Sequence, residues 1–416
     1  MFKIGLKLWS TNRQYIKDAI ALYERGLYDY IELFSVPGSY DEYIKDWEAL
    51  GIPYVIHAPH FYQGMCLSLK EKFHDNMRLA FEALKFADTL KAPWVVFHSG
   101  VNGSIYEVAR QLKIISDSRV LIENKPYAGL AGEVCNGSTP QDIAYLKAEA
   151  GVGFCLDIGH AICAANSFSR NHQEYLKEML TLKPQMFHMT DGDANGMLDQ
   201  HLHFGEGSYD FEMIAQLLPT NASISIECQH TYQDSLNDFE ADSLFVKNMI
   251  KNRIKNSLVF SKANWKDVNR LFDLANDLDV RRNAFIQEQI PFSSHLKWFE
   301  TRVDDEKTLL LTIFDERAFV GAVRFDLQSG LVNECLMPAK ISIWLGKEYR
   351  GLGIGTTVLE KGLALARNHG IKIVSANIFD DNAPSKKLFS NVGFKVEKIE
   401  RVNGRLFGYY LKDLLA

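Results

Sequence analysis

The chain has 416 residues, 47% hydrophobic and 24% charged, with a formal net charge of −6. This is the composition of a globular protein too long for one ordinary core, so two domains are expected. The mild acidity speaks against a surface built to track a nucleic-acid backbone, and the lack of a cationic apolar leader or a long uncharged apolar run speaks against export or a membrane span. The six cysteines, Cys66, Cys135, Cys155, Cys163, Cys228 and Cys335, form no CxxC pair. Scattered thiols fit a reduced, cytoplasmic protein better than a disulfide framework.

In chain order, short apolar runs recur at 2–8, 28–34, 53–57, 93–98, 120–123, 152–157, 185–189 and 223–227. Helical periodicity separates most of them, as at 15–25, 73–90, 141–150, 174–182 and 241–251. Eight strand-like runs alternating with helices is the pattern of a (β/α)8 TIM barrel, an α/β fold. A doubly wound open sheet is the alternative. It calls for a glycine-rich turn after its first strand, and none follows Leu6-Lys7-Leu8-Trp9-Ser10.

The composition shifts at 251–256, a basic, polar stretch that reads as a helix end and a short linker. This places the domains at 1–254 and 255–416. The second reads as α+β. A strand at 258–260 precedes helices at 265–278 and 295–302 and strands at 308–314, 319–326 and 340–345. A glycine-rich turn and helix over 350–368 follow, then a strand at 372–378, a helix at 384–392 and a last strand at 405–411.

In a (β/α)8 barrel the catalytic side chains leave the carboxyl ends of the strands. Here those ends carry Glu32, His57, His98, Glu123, Asp157 with His160, His188 followed by Asp199 and His201, and Glu227. One histidine at a strand end is most often structural. The weight lies in consecutive strands each supplying His, Asp or Glu at the equivalent place. Nitrogen and carboxylate donors without thiolates suit zinc, manganese, cobalt or ferrous iron. The candidates exceed what one ion needs, so two or three ions are expected, activating a water and clamping an oxygen-rich substrate. Glu123 and Glu227 are the natural bridging carboxylates.

The stretches His57-Ala58-Pro59-His60, Phe97-His98-Ser99-Gly100, Ile122-Glu123-Asn124, Leu156-Asp157-Ile158-Gly159-His160, His188-Met189-Thr190-Asp191, Asp199-Gln200-His201 and Ile226-Glu227 resemble the xylose isomerase-like barrels and, among them, endonuclease IV. The resemblance implies a trinuclear zinc site held by His57, His98, Glu123, Asp157, His160, His188, Asp199, His201 and Glu227. The same barrel serves sugar isomerases and epimerases, which hold one ion through residues matching Glu123, Asp157, His188 and Glu227. Ancestry thus fixes the metal site better than the reaction. The expectation is a divalent-metal enzyme, zinc before manganese, with one to three ions and a sugar or sugar phosphate as substrate. Glu123, Glu227 and His160 are its candidate catalytic groups. A DNA repair phosphodiesterase and a metal-holding scaffold are the alternatives. Lys125 reads as a possible substrate contact and His203 as a neighbour that supports the ligands.

In the second domain, Arg350-Gly351-Leu352-Gly353-Ile354-Gly355-Thr356 opens an apolar-periodic helix, where glycines let backbone N–H groups approach a phosphate. With Asn382-Ala383-Pro384-Ser385 and Gly393-Phe394 this order resembles the GNAT acetyltransferases. The resemblance implies that acetyl-CoA binds at Ile343, Leu345, Arg350, Gly351, Gly353, Gly355, Thr356, Asn382 and Ser385. Val280-Arg281-Arg282-Asn283, His295-Leu296-Lys297-Trp298-Phe299 and Val323-Arg324-Phe325-Asp326 are similar to the subgroup that acetylates amino sugars on nucleotide carriers. Many GNAT enzymes have a tyrosine acid before the closing Gly-Phe. Phe389 stands there and has no proton to give. Glu334 and His295 are the candidate bases.

Overall fold

Eight parallel strands close into a barrel in sequence order: β1 (Lys3–Trp9), β2 (Tyr30–Phe34), β3 (Tyr54–His57), β4 (Val95–His98), β5 (Val120–Glu123), β6 (Gly153–Asp157), β7 (Met186–Met189) and β8 (Ser223–Ile226). β8 pairs back onto β1, with Gly5 opposite Ser225, so the open-sheet alternative is excluded. The computed structural model describes residues 2–415 apart from 232–233, 317, 328–330, 333–334 and 403. Two units divide between Met249 and Ile250. The stretch 251–256, expected as a helix end and linker, is helical throughout. The helix Asn237–Ser257 runs directly into the next strand, and Ile254 is buried on it.

Period-2 alternation explains the barrel. One apolar set, Tyr30, Val55, Val96, Leu121, Cys155 and Met186, forms a single packed cluster with a member from each of β2 to β7. Gly5 completes the layer because it has no side chain. A Cβ there would lie 2.5 Å from the Tyr30 ring and 2.7 Å from Ser225 Oγ. The intervening helices bury one apolar stripe each. Phe73–Leu90, for example, buries Leu79, Ala80, Ala83, Leu84, Phe86, Ala87 and Leu90. Each fully buried Leu or Phe stabilises by roughly 1.5–3 kcal/mol.

In the second unit, a mixed sheet has the order β16-β17-β15-β14-β11-β10-β9. Its strands are β9 (Leu258–Lys262), β10 (Thr308–Asp315), β11 (Ala318–Asp326), β14 (Ala339–Leu345), β15 (Ile373–Phe379), β16 (Lys395–Val402) and β17 (Arg405–Asp413). A small pair, β12 (Leu331–Val332) and β13 (Cys335–Leu336), stands apart. β14 and β15 are paired in parallel only at Ala339–Val374 and Lys340–Ser375, and they part beyond that point. The expected helix at 265–278 is broken. Val268–Asn276 ends, and the Asp277 carboxylate accepts from the N–H groups of Asp279 and Val280 to start Leu278–Arg282. No helix among the described residues is long and apolar enough to cross a membrane.

Candidate functional site

Two residues beyond the apolar layer, every strand path of the barrel supplies a polar side chain: Lys7, Glu32, His57, His98, Glu123, Asp157, His188 and Glu227. The pleat therefore delivers one ring of groups to the carboxyl end. Glu123 is its hub. Its Oε2 lies 2.9 Å from His98 Nε2, 3.3 Å from His57 Nε2 and 3.2 Å from His188 Nδ1, and its Oε1 lies 3.0 Å from His160 Nδ1. Asp199 Oδ2 lies 3.0 Å from His160 Nε2 and 2.7 Å from His201 Nε2. His188 Nδ1 lies 2.7 Å from Glu227 Oε1. Three donor sets chain together: His57–His98–Glu123, Glu123–Asp157–His160 and His160–Asp199–His201. The structure thus brings together every metal-ligand candidate expected from the sequence.

Local structure holds each group in place. Asp157 caps the helix Ile158–Ser167 by accepting from the His160 N–H at 2.6 Å, which fixes His160 one turn above it. Asn124 locks the same point. Its side chain donates to the Asp157 carbonyl at 2.9 Å and accepts from the Asp157 N–H at 2.8 Å. The loop carrying Asp199 and His201 is pinned by Asp191, whose carboxylate accepts from the N–H groups of Gly205 and Gly207. A Cβ on Gly207 would lie 2.4 Å from Asp191 Oδ1, so only glycine fits there. His203 leans on Asp242 at 2.7 Å, beside the ligands rather than among them.

The nitrogens show what the ring is suited to hold. His57 Nδ1 donates to the Ala58 carbonyl at 2.7 Å, His160 Nδ1 to the Asn124 carbonyl at 3.0 Å and His201 Nδ1 to the Glu227 carbonyl at 2.8 Å. In each case the other ring nitrogen faces a carboxylate. This is how metal-ligating histidines are oriented by outer partners. The buried nitrogens His98 Nδ1 and His188 Nδ1 make no hydrogen bond. The donor set fits divalent ions of the zinc type.

The electrostatics agree. Burial works against the charge of Glu123, but His98, Lys125 and His188 hold its carboxyl well below the usual range. Burial pushes Asp157 up to about 6. Burial also opposes charge on His160, yet Asp157 and Asp199 outweigh it and raise the imidazole to about 10. Burial, then Lys125, lowers His60 to about 3, so this ring is neutral. The ring opens into a cavity of about 910 Å³, lined among others by Lys7, His60, Tyr62, Lys125, Leu130 and His230.

Two members of the ring lie outside the ligand set that the resemblance implies: Glu32, already noted at the end of its strand, and Lys7. Lys7 is a cation and gives no ligand signal. Its amine contacts Glu227 and lies 3.5 Å from Glu32. Burial opposes its charge, but Glu227, Glu32 and Glu123 raise its pKa. Glu32, fully buried, lies 3.0 Å from His188 Nε2. The available signal was parity: both sit on the inward phase of their strands.

In the second unit, Ile343 and Leu345 lie on β14 beyond the point where it leaves β15. The turn that follows takes left-handed backbone at Gly351 (φ 77°) and Gly353 (φ 69°). The helix Gly355–Asn368, which includes Thr356, starts with no side-chain cap, leaving its first N–H groups open to an anion. Arg350 is engaged by groups of the protein itself. Its Nε donates to the Leu345 carbonyl at 2.9 Å, and its guanidinium is paired with Asp277 and Asp279. Asn382 accepts from the Ser385 N–H at 3.2 Å and so starts the helix Ala383–Asn391. Phe389 is buried edge-on to Phe394. His295 corrects an expectation. It is 2% exposed, with Nε2 donating to the Val268 carbonyl at 3.0 Å and its ring among Phe272, Trp298 and Phe299. That is a core histidine, not a base open to substrate. Glu334 lies outside the described residues.

Comparison with known proteins follows this division. The family model described as a xylose isomerase-like TIM barrel matches residues 21–248, and that of the GNAT acetyltransferase domain matches 257–395. The probable endonuclease 4 of Thermoplasma volcanium is 25% identical over 167 residues, 37% of this chain and 58% of that protein. The putative phosphinothricin acetyltransferase YwnH of Bacillus subtilis is 43% identical over 56 residues, 14% of this chain and 34% of that protein. The chain thus spans less than two thirds of either relative. A solved D-tagatose 3-epimerase-like protein, 19% identical, covers 60% of this chain and 97% of its own, with a TM-score of 0.48.

Proposed function

The chain belongs to the xylose isomerase-like TIM barrel family and carries a GNAT acetyltransferase domain after the barrel; from that premise we propose an enzyme with two activities. The barrel is a multinuclear divalent-metal enzyme, zinc being the best match to its donors, that cleaves a phosphate ester of a small, oxygen-rich molecule. The second domain is an acetyl-CoA-dependent N-acetyltransferase for a small amine.

One observation carries the barrel reading. The His160–Asp199–His201 set adjoins His57–His98–Glu123 through the contact of Glu123 with His160. An enzyme working with one ion has no use for Asp199 and His201. Bound divalent ions supply Lewis acidity and an activated water. The chain's own residues do the rest. Glu123 joins neighbouring sets. Asn124 and Asp191 hold the ligands in position. Lys125, 3.4 Å from Glu123 and 3.3 Å from His160 Nε2, can orient a substrate oxygen. A neutral His60 offers the cavity a hydrogen-bonding nitrogen without added charge.

A second reading, a sugar isomerase or epimerase with one ion, is favoured by Glu123 and Glu227 flanking one imidazole, His188. The test is to incubate zinc-loaded protein with sugar phosphates, free ketoses and an abasic-site duplex. Phosphate release that EDTA and Glu123→Gln both abolish supports the proposal. Interconversion of ketoses without phosphate release makes it an isomerase. Duplex nicking faster than any small-molecule turnover assigns it to DNA repair.

For the second domain, the parted strands β14 and β15 and the uncapped helix after Gly353 support a site for the pantetheine and pyrophosphate of acetyl-CoA. A neutral amine attacks the thioester carbon, and the C–N bond forms as the thiolate leaves. The amine nitrogen then gives up a proton, and because Phe389 cannot protonate the thiolate, another group or water does. We take an amino sugar as the acceptor, with an amino acid of the phosphinothricin type as the alternative suggested by the relative's name. Thiol release from acetyl-CoA across both amine classes decides between them.

A further inference from the structure

The glycine turn of the second unit has to meet a strongly anionic group, yet its own arginine is already engaged. Arg350 donates to the Leu345 carbonyl at 2.9 Å and pairs with Asp277 and Asp279. A second cation lies against the turn from an earlier helix. A Cβ built on Gly353 would lie 3.2 Å from Lys251 Nζ, 3.1 Å from its Cε and 3.6 Å from its Cδ. At Gly351 a Cβ would meet nothing within 4 Å, and at Gly355 its nearest neighbours would be the side chains of Leu388 and Leu345. The half-buried Lys251 therefore lays its stem and its ammonium across Gly353.

That placement is built in. Lys251 belongs to the same compact unit as the turn and sits on the helix Asn237–Ser257. Ile250 and Ile254 of that helix are buried, and Arg253 pairs with Glu316 at 2.9 Å. Lys361, on the helix Gly355–Asn368 itself, donates to the Lys255 carbonyl at 3.1 Å. The Lys251 ammonium makes no hydrogen bond or ion pair with any described residue. A cation beside the amino end of a helix is unfavourable by itself, because the open N–H groups give that end a partial positive charge. No side-chain cap offsets it here. An anion held between the ammonium and those N–H groups converts both interactions into attraction.

We propose that Lys251 is an acetyl-CoA-binding residue, whose ammonium pairs with the pyrophosphate seated on the turn 350–356 and supplies the charge that Arg350 gives to Asp277 and Asp279. The backbone N–H groups provide direction, and a lysine provides a point charge on a flexible stem. Lys251 precedes residues 257–395, which match the GNAT model, so this contact comes from outside the matched domain.

The inference rests on the acetyl-CoA reading of the second domain, and its test separates the two. Full-length wild type, Lys251→Met and Lys251→Arg are titrated calorimetrically with acetyl-CoA and with its 3′-dephospho form, with circular dichroism to check folding. Even with the screening of bulk water, two unit charges at about 4 Å correspond to about a fivefold change in Kd. Lys251→Met should therefore weaken both ligands by at least about fivefold, and Lys251→Arg should keep most of the affinity. Equal affinity in folded Lys251→Met and wild type overturns the proposal, as does an equal loss in Lys251→Arg. A loss seen with acetyl-CoA but absent with the dephospho form moves the contact to the 3′-phosphate and overturns the pyrophosphate assignment. Should Lys251→Met not fold, wild type decides alone. An amine-reactive ester, read by peptide mass spectrometry, should modify Lys251 more slowly with the dephospho form bound, and an unchanged rate overturns the proposal. A wild type that binds no acetyl-CoA defeats the cofactor reading itself, and the proposal with it.

Discussion

His57 Nε2 faces Glu123 Oε2 across 3.3 Å, while the Nδ1–H of the same ring is committed to the Ala58 carbonyl at 2.7 Å. A neutral His57 therefore turns a lone pair toward a carboxylate. The two atoms attract only with a cation between them, a proton or a metal ion. Both residues are buried, so solvent does not relieve the contact. Glu123→Gln removes the charge at the hub without changing its shape. Zinc affinity should fall by more than the roughly 10–100-fold typical of losing an outer-shell partner. Titration with a chromophoric zinc competitor checks this.

Asp199 and His201 test whether the barrel holds more than one ion. Asp199 Oδ2 sits between His160 and His201, at 3.0 and 2.7 Å. Asp199→Asn should lose about one zinc per chain, and turnover should drop by about 100-fold or more. The His57–His98–Glu123 set should keep its ion. Elemental analysis beside turnover of the same sample gives the answer.

The pH dependence follows from His160. In the metal-free protein its pKa rises from 6.5 to about 10, because Asp157 and Asp199 outweigh burial. A pKa raised on folding gives stability that is fully present below the unfolded value and lost as pH climbs through the folded one. The His160 contribution to apo stability should thus fade between 6.5 and about 10. Binding a metal requires the neutral ring, so zinc uptake near neutral pH should expel a proton and tighten as pH rises. Calorimetry in two buffers of different ionisation enthalpy measures the proton. No buffer dependence would contradict the assignment.

Gly353 adopts φ 69°, and a Cβ there would lie 3.1 Å from Lys251 Cε. Gly353→Asp adds left-handed strain of about 1–2 kcal/mol and a negative charge where a pyrophosphate is expected. Acetyl-CoA affinity should fall by at least about 100-fold, nearly 3 kcal/mol. Zinc content should not change. Isothermal titration with acetyl-CoA reads the first and elemental analysis the second.

His295 separates a structural role from a catalytic one. His295→Ala leaves a hole among Phe272, Trp298 and Phe299 and frees the Val268 carbonyl. It should cost about 2–4 kcal/mol of stability. Below the new melting temperature, acetylation should keep its pH profile. A profile that loses one limb would restore the base role.

The barrel was legible because each strand is a short apolar run with a polar residue at or near its carboxyl end. The ligands were legible because His, Asp and Glu recur at one phase of that pattern. Lys7 was not, since an ammonium is not a ligand and the end of β1 looks ordinary without knowing what Glu32 and Glu227 need. His295 misled because a histidine at a helix start resembles an available base, and only packing reveals its aromatic surroundings. The stretch 251–256 looked like a linker because it is basic and polar. Ile254, 1% exposed, and the pairing of Arg253 with Glu316 at 2.9 Å keep it helical. β16 was missed because all its side chains are exposed, and an edge strand with no buried face leaves no apolar phase to detect.

The most direct test of the central claim is anomalous diffraction at the zinc absorption edge from a zinc-loaded crystal of the full chain. The account predicts separate peaks at His57–His98–Glu123 and at His160–Asp199–His201. A single peak among Glu123, Asp157, His188 and Glu227, or no peak in the barrel, would contradict it.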